Sequence, residues 1–483
     1  MIRGTPHSYE LLGTIGEGTY SKVYKAKRLA RSSSSGSGSG STAASSAQHL
    51  LKNKREKGRA RAESMNTETY YAVKIIKDAD AAASSSKYAT FNKISRKATS
   101  RGAEIARQAK LSKEKKQEAK AQSQRAQFTS ISTLREIKLL KELQGPNIVE
   151  LIDVILDQSS AGGRQLAIVF EFVSWDMRQI VDEHSRTKRP VPLYTVKSMV
   201  WQVLKALRYL HENWVMHRDI KPQNIFVVGS GPDYGRIKLG DFNLARVCRD
   251  PIRPLGKVDK TVVTLWYRAP ELLLGATNYD CAVDVWSLGC VFADLCLAGV
   301  ASSRRALFPG NEVRKGISSN VQELPEIGTP FEALQCHEIF SICGFPSFPG
   351  VDRLPGYQFI AGWKRSQSYP SHPLLREAIK HKELDDNAHC LLGAMLSLDP
   401  TKRITCDEAL SSPFFRATPL PGDNSLLRKE EGKESLRYSV VPPRPMNGAM
   451  RKSLLKHGRS SASSLGDGNH KSTSSKRQRT LRR

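Results

Sequence analysis

VMHRDIKPQN, residues 215–224, is the stretch that decides the fold. It places a carboxylate, Asp219, two positions before Lys221 and five before Asn224. KLGDF then supplies a second carboxylate, Asp241, 17 residues beyond Asn224. Upstream, YAVK puts Lys74 on an apolar strand-like run, and Glu136 lies in the helical pattern that follows. Phosphoryl transfer needs cations around the phosphates and a carboxylate beside the incoming hydroxyl. A His-Arg-Asp tripeptide is trivial by chance; the ordered series is not.

Working outward, YELLGTIGEGTYSKVYKAK (9–27) alternates apolar and polar residues around a Gly-rich turn, as a β-hairpin does. Gly16 and Gly18 leave the backbone free to approach a phosphate. An ordinary hairpin turn reads the same way, and Ser21 stands where G-x-G-x-x-G would have its third Gly. Strand patterns recur at 70–77, 148–156 and 166–173. TLREIKLLKELQ (133–144) has the spacing of an amphipathic helix, with Thr133 and Glu136 at capping-box distance and Gly145-Pro146 as its stop. From about 176 to 415 the pattern is mostly helical.

Two segments interrupt the small first part. Residues 28–68 open with RLARSSSSGSGSGS, and 78–128 are rich in Ala, Ser and Lys without an apolar stripe; both read as flexible or solvated. Charge follows the same division. The chain carries +28, and 28–69 (8 basic, 3 acidic), 87–127 (12 and 3) and 428–483 (15 and 4) hold +25 of it. Basicity therefore belongs to appendages, which argues against a nucleic-acid groove in the core. The terminal SSKRQRTLRR reads either as a nuclear import signal or as a solvated tail.

Eight cysteines include no CxxC pair and no zinc spacing, which fits reduced thiols in an intracellular protein. MIRGTPHSYELLG lacks the apolar centre of a signal peptide. The most apolar run, VDVWSLGCVFADLCLAGVA, contains Asp284 and Asp294, which argues against a membrane span.

GEGTYS, YAVK, HRDIKPQN, KLGDF and WYRAPE (ending at Glu271), with Asp284 and Arg403 further on, together resemble the protein-kinase signature set. The likeness covers about 9–27, 69–77 and 129–415. It implies an α+β, bilobal protein-kinase fold spanning 9–415: a small β-rich N-lobe with one main helix (9–173) and a larger helical C-lobe (174–415). A basic, Ser-rich, disordered tail is expected over 416–483. ATP and Mg2+ are the implied cofactors, with Asn224 and Asp241 as the metal residues. Asp219, Lys221, Asn224 and Thr264 take the catalytic roles: Asp219 accepts the hydroxyl proton and Lys221 steadies the transferring group. The nucleotide falls to Ile15, Gly16, Glu17, Gly18, Thr19, Tyr20, Ser21, Lys22, Val23, Ala72, Lys74, Glu136, Phe170, Glu171, Val173, Asp176 and Phe226. Within that set Lys74 pairs with Glu136, Glu171 and Val173 offer hinge backbone, and Asp176 lies near the ribose. Glu136 also reads as a helix cap and Phe170 as packing. Glu271 is expected to pair with Arg403.

TSISTLRE (129–136) resembles the cyclin-contacting helix of cyclin-dependent kinases, and VVTLWYRAPELLLG (262–275) resembles their activation segment. By that likeness Arg268 marks proline-directed substrates. ENWVMHRDIKPQNIFVVGSGPDYGRIKLGDF and IFSICGFPSFPGVDRLPGY are similar to the Mediator-associated, cyclin C-dependent subfamily. So is Asp259, in the slot that holds a phosphorylated Thr in many relatives. One permanent charge there, facing Arg135, Arg218 and Arg246, would tether the loop without the roughly −1.5 to −2 charges of a phosphate. Expected partners are a cyclin C-like protein on the 129–144 helix, protein substrates and Mediator subunits, with no membrane; the expected location is the nucleus, with the cytoplasm also open. Only eight residues precede Tyr9, where the subfamily has an extension that helps select cyclin C, so another cyclin stays open.

Asn243 stands where most kinases have Gly after Asp-Phe. Asn is the non-Gly residue most tolerant of left-handed backbone, so the position is expected to visit positive φ at a cost of about 1 kcal/mol. The chain reads as an active Ser/Thr kinase acting on transcription proteins such as the polymerase C-terminal domain. The competing reading is a catalytically silent, cyclin-binding scaffold.

Overall fold

The alternating run that opens the chain builds the first layer. Strands β1 (Ile2–Arg3), β2 (Ser8–Glu17), β3 (Ser21–Leu29), β4 (Tyr70–Ile76), β5 (Leu151–Asp157) and β6 (Gln165–Glu171) form one antiparallel sheet, ordered β1-β2-β3-β4-β6-β5. This computed structural model describes residues 2–3, 7–18, 21–29, 69–76, 133–157, 165–248, 265–300, 306–310, 330–362 and 369–426 of the 483. Most of the two insertions and the whole 427–483 tail lie outside them. β3 and β4 nevertheless pair in continuous register from Ser21↔Ile76 to Lys27↔Tyr70, so the first insertion leaves and re-enters at the end of a hairpin. Tyr9, Leu11, Tyr24, Tyr71, Val73, Ile155 and Val169 bury one face as the core of this lobe.

Helix α1 (residues 133–142) adds Leu139 and Leu140 to the larger core, and Leu143 just beyond its end joins them. Beyond β7 (Trp175–Asp176) the chain becomes helical, with α2 (Met177–Thr187), α3 (Leu193–Glu212), α4 (Ala282–Leu297) and α5 (Pro330–Cys343) as its main members. In α4 every residue from Val283 to Leu297 is buried, as expected of a helix apolar on all sides. Among the described residues no helix is long and apolar enough to cross a membrane. Short strands β8 (Val215–Met216), β9 (Ile225–Val227), β10 (Ile237–Leu239) and β11 (Arg246–Val247) frame the decisive stretch. β9 lies between β10 and β7, and β11 pairs with β8.

The sequence reading ended the packed chain at 415; the structure carries it further. Lys197 Nζ donates to Ala417 O (2.9 Å), Gln202 Nε2 to Gly422 O (3.1 Å) and Tyr194 Oη to Asn424 O (2.7 Å). Ser425 Oγ donates to Gly235 O, and Leu426 is buried. Polar side chains of α3 hold this segment by its backbone, so it needs no apolar periodicity of its own.

Candidate active site

The N-lobe contributes a cation. Lys74, on β4 and 7% exposed, donates to Glu136 Oε1 and Oε2 at 2.8 and 3.1 Å. Glu136 is fully buried on α1, with both carboxylate oxygens on Lys74. Burial works against the Lys74 charge, but the Glu136 and Asp241 carboxylates outweigh it and hold its pKa above the ordinary lysine value. Lys74 Nζ also donates to Asp241 Oδ1 at 3.2 Å, which ties strand, helix and C-lobe at one point.

The C-lobe contributes the carboxylates. Asp219 Oδ2 accepts from Lys221 Nζ (2.7 Å) and from Asn224 Nδ2 (2.9 Å). Asn224 Nδ2 also donates to Asp219 O at 2.8 Å, which aims its amide oxygen elsewhere. Asp219 Oδ1 is buried without a hydrogen-bond partner among the described residues. Burial raises the Asp219 pKa, with Lys221 opposing. Burial pushes Asp241 the same way, but Lys74 and Lys221 prevail and hold it below the usual carboxylate range.

A buried aspartate sets the backbone of this loop. Asp284 of α4 accepts from His217 N (2.8 Å), Arg218 N (2.7 Å) and His211 Nε2 (3.1 Å). Those bonds hold Arg218 at a left-handed φ of 67°, a conformation a non-Gly residue rarely adopts. Its guanidinium donates to Leu244 O (2.7 Å) and Tyr279 Oη (2.8 Å). The sequence placed Asp284 in the series without a role; an aspartate inside VDVWSLGCVF was the available signal, since a buried charge must be matched.

Asn243 departs from expectation. The left-handed residue is Asp241 (φ 62°), and Asn243 sits inside the single 3-10 turn Phe242–Leu244. The turn is right-handed, so position 243 needs no positive φ. Phe242 is buried with its ring against His217, centroids 4.9 Å apart.

The glycine-rich hairpin closes with Gly18 N donating to Ser21 O at 2.9 Å, and Lys22 pairs with Glu17 across it (3.1 Å). A Cβ on Gly16 would meet only Val23 at 3.6 Å, and one on Gly18 only Ser21, also from 3.6 Å. Both are ordinary contacts, so the fold itself does not demand glycine at either position.

Ile15 and Val23 lie on β2 and β3, Ala72 opposite Phe170 across β4 and β6, and Phe226 on β9. Glu171 and Val173 occupy the connection between the lobes, where Glu171 Oε1 accepts from Lys238 Nζ (2.7 Å) and from Glu150 N (2.8 Å). No local pattern in the sequence signals that latch, which joins residues 67 positions apart. Asp176 caps α2 in a capping box with Gln179, a second task beside the one expected of it. Arg268, largely buried, lies 3.5 Å from Glu332. Arg135 is on α1 and Arg246 on β11. Thr19, Tyr20, Asp259 and Thr264 fall outside the described residues. The expected structural pair forms deep in the C-lobe, where Arg403 donates to Glu271 Oε1 and Oε2 at 2.7 and 3.0 Å.

The site thus joins a buried lysine between two carboxylates to a C-lobe loop whose aspartate keeps one unmatched oxygen. Residues 97–415 match the family described as the protein kinase domain. The chain belongs to the protein kinase family. It is 40% identical over 298 residues to "Probable cyclin-dependent kinase 8" of Dictyostelium discoideum, covering 61% of this chain and 72% of that protein. With "Serine/threonine-protein kinase srb10" of Schizosaccharomyces pombe it shares 36% over 311 residues, 63% of this chain and 78% of the other. With "Cyclin-dependent kinase E-1" of Arabidopsis thaliana the figure is 36% over 325 residues, 66% and 64%. Within its family the chain is a serine/threonine kinase of the cyclin-dependent type.

Proposed function

We propose that this kinase, bound to a cyclin C-like partner, phosphorylates Ser or Thr followed by Pro in nuclear transcription proteins such as the polymerase C-terminal domain. We place it within a Mediator kinase module. The observation that carries the chemistry is the buried, unmatched Asp219 Oδ1 beside Lys221 and Asn224. An acceptor held dry, with its pKa raised by burial, suits the proton of an incoming hydroxyl.

The donor set fits magnesium bound together with phosphates. Asn224 and Asp241 offer hard oxygens, and among the described residues no group of three His, Cys, Asp or Glu forms a metal cage of its own. Asn224 and Asp241 would hold the ion. When bound, Mg·ATP supplies the phosphoryl group and spreads its charge onto the metal. Lys74 then meets the phosphates and keeps Glu136 beneath it. Gly16 and Gly18 cover them, a role that accounts for glycines the hairpin does not require. The hinge backbone at Glu171 and Val173 is assigned to the adenine, and Asp176, besides capping α2, is assigned to the ribose. Ile15, Val23, Ala72, Phe170 and Phe226 enclose the base.

The finer assignments rest on the sequence likeness to the Mediator-associated subfamily, together with one surface feature. Leu134 on α1 is 64% exposed, an apolar residue on the helix that a cyclin would cover. Arg268, largely buried and 3.5 Å from Glu332, is assigned to read the position after the acceptor. Arg135, Arg218 and Arg246 are assigned to anchor Asp259, and the kinase domain is assigned residues 9–426.

The test is transfer itself. Full-length chain purified with a cyclin C-type partner is given γ-labelled ATP and a Ser-Pro peptide, beside Asp219→Ala. Label on the peptide with the parent protein and none with the variant is the expected result. Equal labelling by both, or none by either despite a folded complex, removes the reading. A requirement for prior treatment with an activating kinase would remove the Asp259 assignment alone.

A further inference from the structure

Position 243 carries a contact that glycine could not make. Asn243 Nδ2 lies 2.6 Å from Asp241 Oδ1, and Lys74 Nζ lies 3.2 Å from the same oxygen. The orientation of the amide follows from chemistry: an ionised carboxylate only accepts, so Asn243 must present its N–H. Two donors thus converge on Oδ1 and fix the plane of the carboxylate, which directs Oδ2 to any further ligand.

We infer that Asn243 is a positioning residue for the metal-binding carboxylate: its side-chain amide locks Asp241 Oδ1 so that Oδ2 is ready for magnesium. The inference rests on the proposed role of Asp241 in holding that ion. It turns the Asp-Phe-Asn sequence from an apparent lapse into a substitution with its own contact. Asp241 sits at a left-handed φ of 62°, a conformation that Asp and Asn adopt more readily than other non-Gly residues because their short side chains can hydrogen-bond locally. The bridge runs within one turn, from Asn243 back over Phe242, and Phe242 is anchored in the core. Its base is therefore rigid. Charge-assisted hydrogen bonds of this kind are strong enough that losing one weakens binding by roughly tenfold or more.

The test uses full-length chain with its cyclin and reads Mg2+ binding apart from turnover. Thermal melting is followed while Mg2+ is titrated at a fixed concentration of a non-hydrolysable ATP analogue. Asn243→Ala and Asn243→Gly should move the half-point to about tenfold higher Mg2+. Asn243→Ser, which keeps a short donor, should recover part of that shift. At saturating Mg2+, kcat should return most of the way in all three, since no reacting group is lost. Asp241→Asn should abolish the Mg2+-dependent stabilisation. If Asp241→Asn abolishes it while Asn243→Ala and Asn243→Gly match the parent, the inference fails and the proposed site stands. If Asn243→Gly binds Mg2+ more tightly than the parent, the amide is a competitor for the carboxylate and the inference is likewise overturned. If Asp241→Asn itself changes nothing, the proposed function fails first. Melting without Mg2+ reports whether each variant folds, and Asn243→Ser carries the test should Asn243→Gly lose stability.

Discussion

The molecule buries carboxylates in two regions and treats them differently. Three buried carboxylates of the C-lobe floor have a donor on each oxygen: both of Glu271 on Arg403, both of Asp284 on backbone amides and His211, both of Asp294 on Tyr267 Oη and Leu307 N. In the cleft the matching is incomplete and crosses elements that can part. Lys74 comes from the sheet, Glu136 from α1, Asp241 from the turn after β10, and Asp219 Oδ1 has no partner. A buried polar atom without a partner costs about 1–3 kcal/mol, so a fold tolerates it only where something else is gained. The three floor carboxylates are matched within one lobe, whereas the cleft group joins both lobes through Lys74 and leaves Asp219 Oδ1 open at the place where the chemistry is proposed.

Substitutions should separate the two regions by what they damage. The largest loss is expected in the floor. Glu271→Ala strands Arg403, whose side chain is 0% exposed, and removing one partner of a buried pair costs about 3–5 kcal/mol. Urea unfolding should show the midpoint falling with the slope unchanged. Asp219→Ala should do the reverse in the cleft. Turnover should fall by at least about 10²–10³-fold, or roughly 2.7–4 kcal/mol in the barrier, while the melting temperature holds or rises, because the unmatched buried oxygen leaves with the side chain and Asn224 keeps its bond to the backbone carbonyl there. An Asp219→Ala protein that unfolds, or a Glu271→Ala protein that stays stable but inactive, would break the distinction.

The next effect is a pH dependence confined to the floor. Burial opposes the charged His211 ring, but its bonds to Asp284 and Cys406 outweigh this and lift the imidazole from 6.5 to about 10. A raised histidine stabilises fully below its unfolded value, and that contribution is lost as pH climbs through the folded one. Asp284, pushed up by burial yet held below 3.8 mainly by His211, runs the other way and loses its contribution as the solution turns acid. Stability should therefore decline from about pH 6.5 towards about pH 10. His211→Gln should flatten that decline and cost about 1.5–3 kcal/mol at neutral pH, less than Glu271→Ala because Asp284 keeps two backbone donors. Chemical denaturation across that range measures it; a parallel curve for the variant would place the titration elsewhere.

What the sequence disclosed follows the same division. Lys74, Glu136, Asp219, Asn224 and Asp241 were legible because their chemistry needs fixed residue types at nearly fixed intervals. The two lobes were legible from the switch between strand and helix periodicities. Contacts that depend on a single side chain reaching a backbone group were not. Residues 417–426 carry no periodicity, and what orders them is written in Tyr194, Lys197 and Gln202, more than 200 residues earlier. Asn243 was visible as an exception, but the expected positive φ fell two residues earlier, on Asp241. Backbone geometry at that turn is fixed by the burial of Phe242, which a tripeptide does not reveal.

The smallest effect lies on the border between the regions. Glu171 closes the last sheet strand, and its carboxylate meets Lys238 of β10 while also accepting from Glu150 N. It links the hinge to the C-lobe, yet unlike the floor pairs it is partly open, with side-chain exposures of 23% and 12% for Glu171 and Lys238. Solvent screens such a pair, so its worth is about 0.2–1 kcal/mol. Glu171→Gln keeps the shape and the bond from Glu150 N but removes the charge. Stability should fall by no more than that amount, and nucleotide affinity, measured by titration calorimetry with ADP and Mg2+, should change by less than about fivefold. Raising salt should weaken the parent's latch and leave the variant indifferent, because screening acts only on a charge that is present. A loss as large as that from Glu271→Ala would mean the hinge belongs with the matched scaffold. The border between fixed and open charge would then have to be drawn on the cleft side of Glu171.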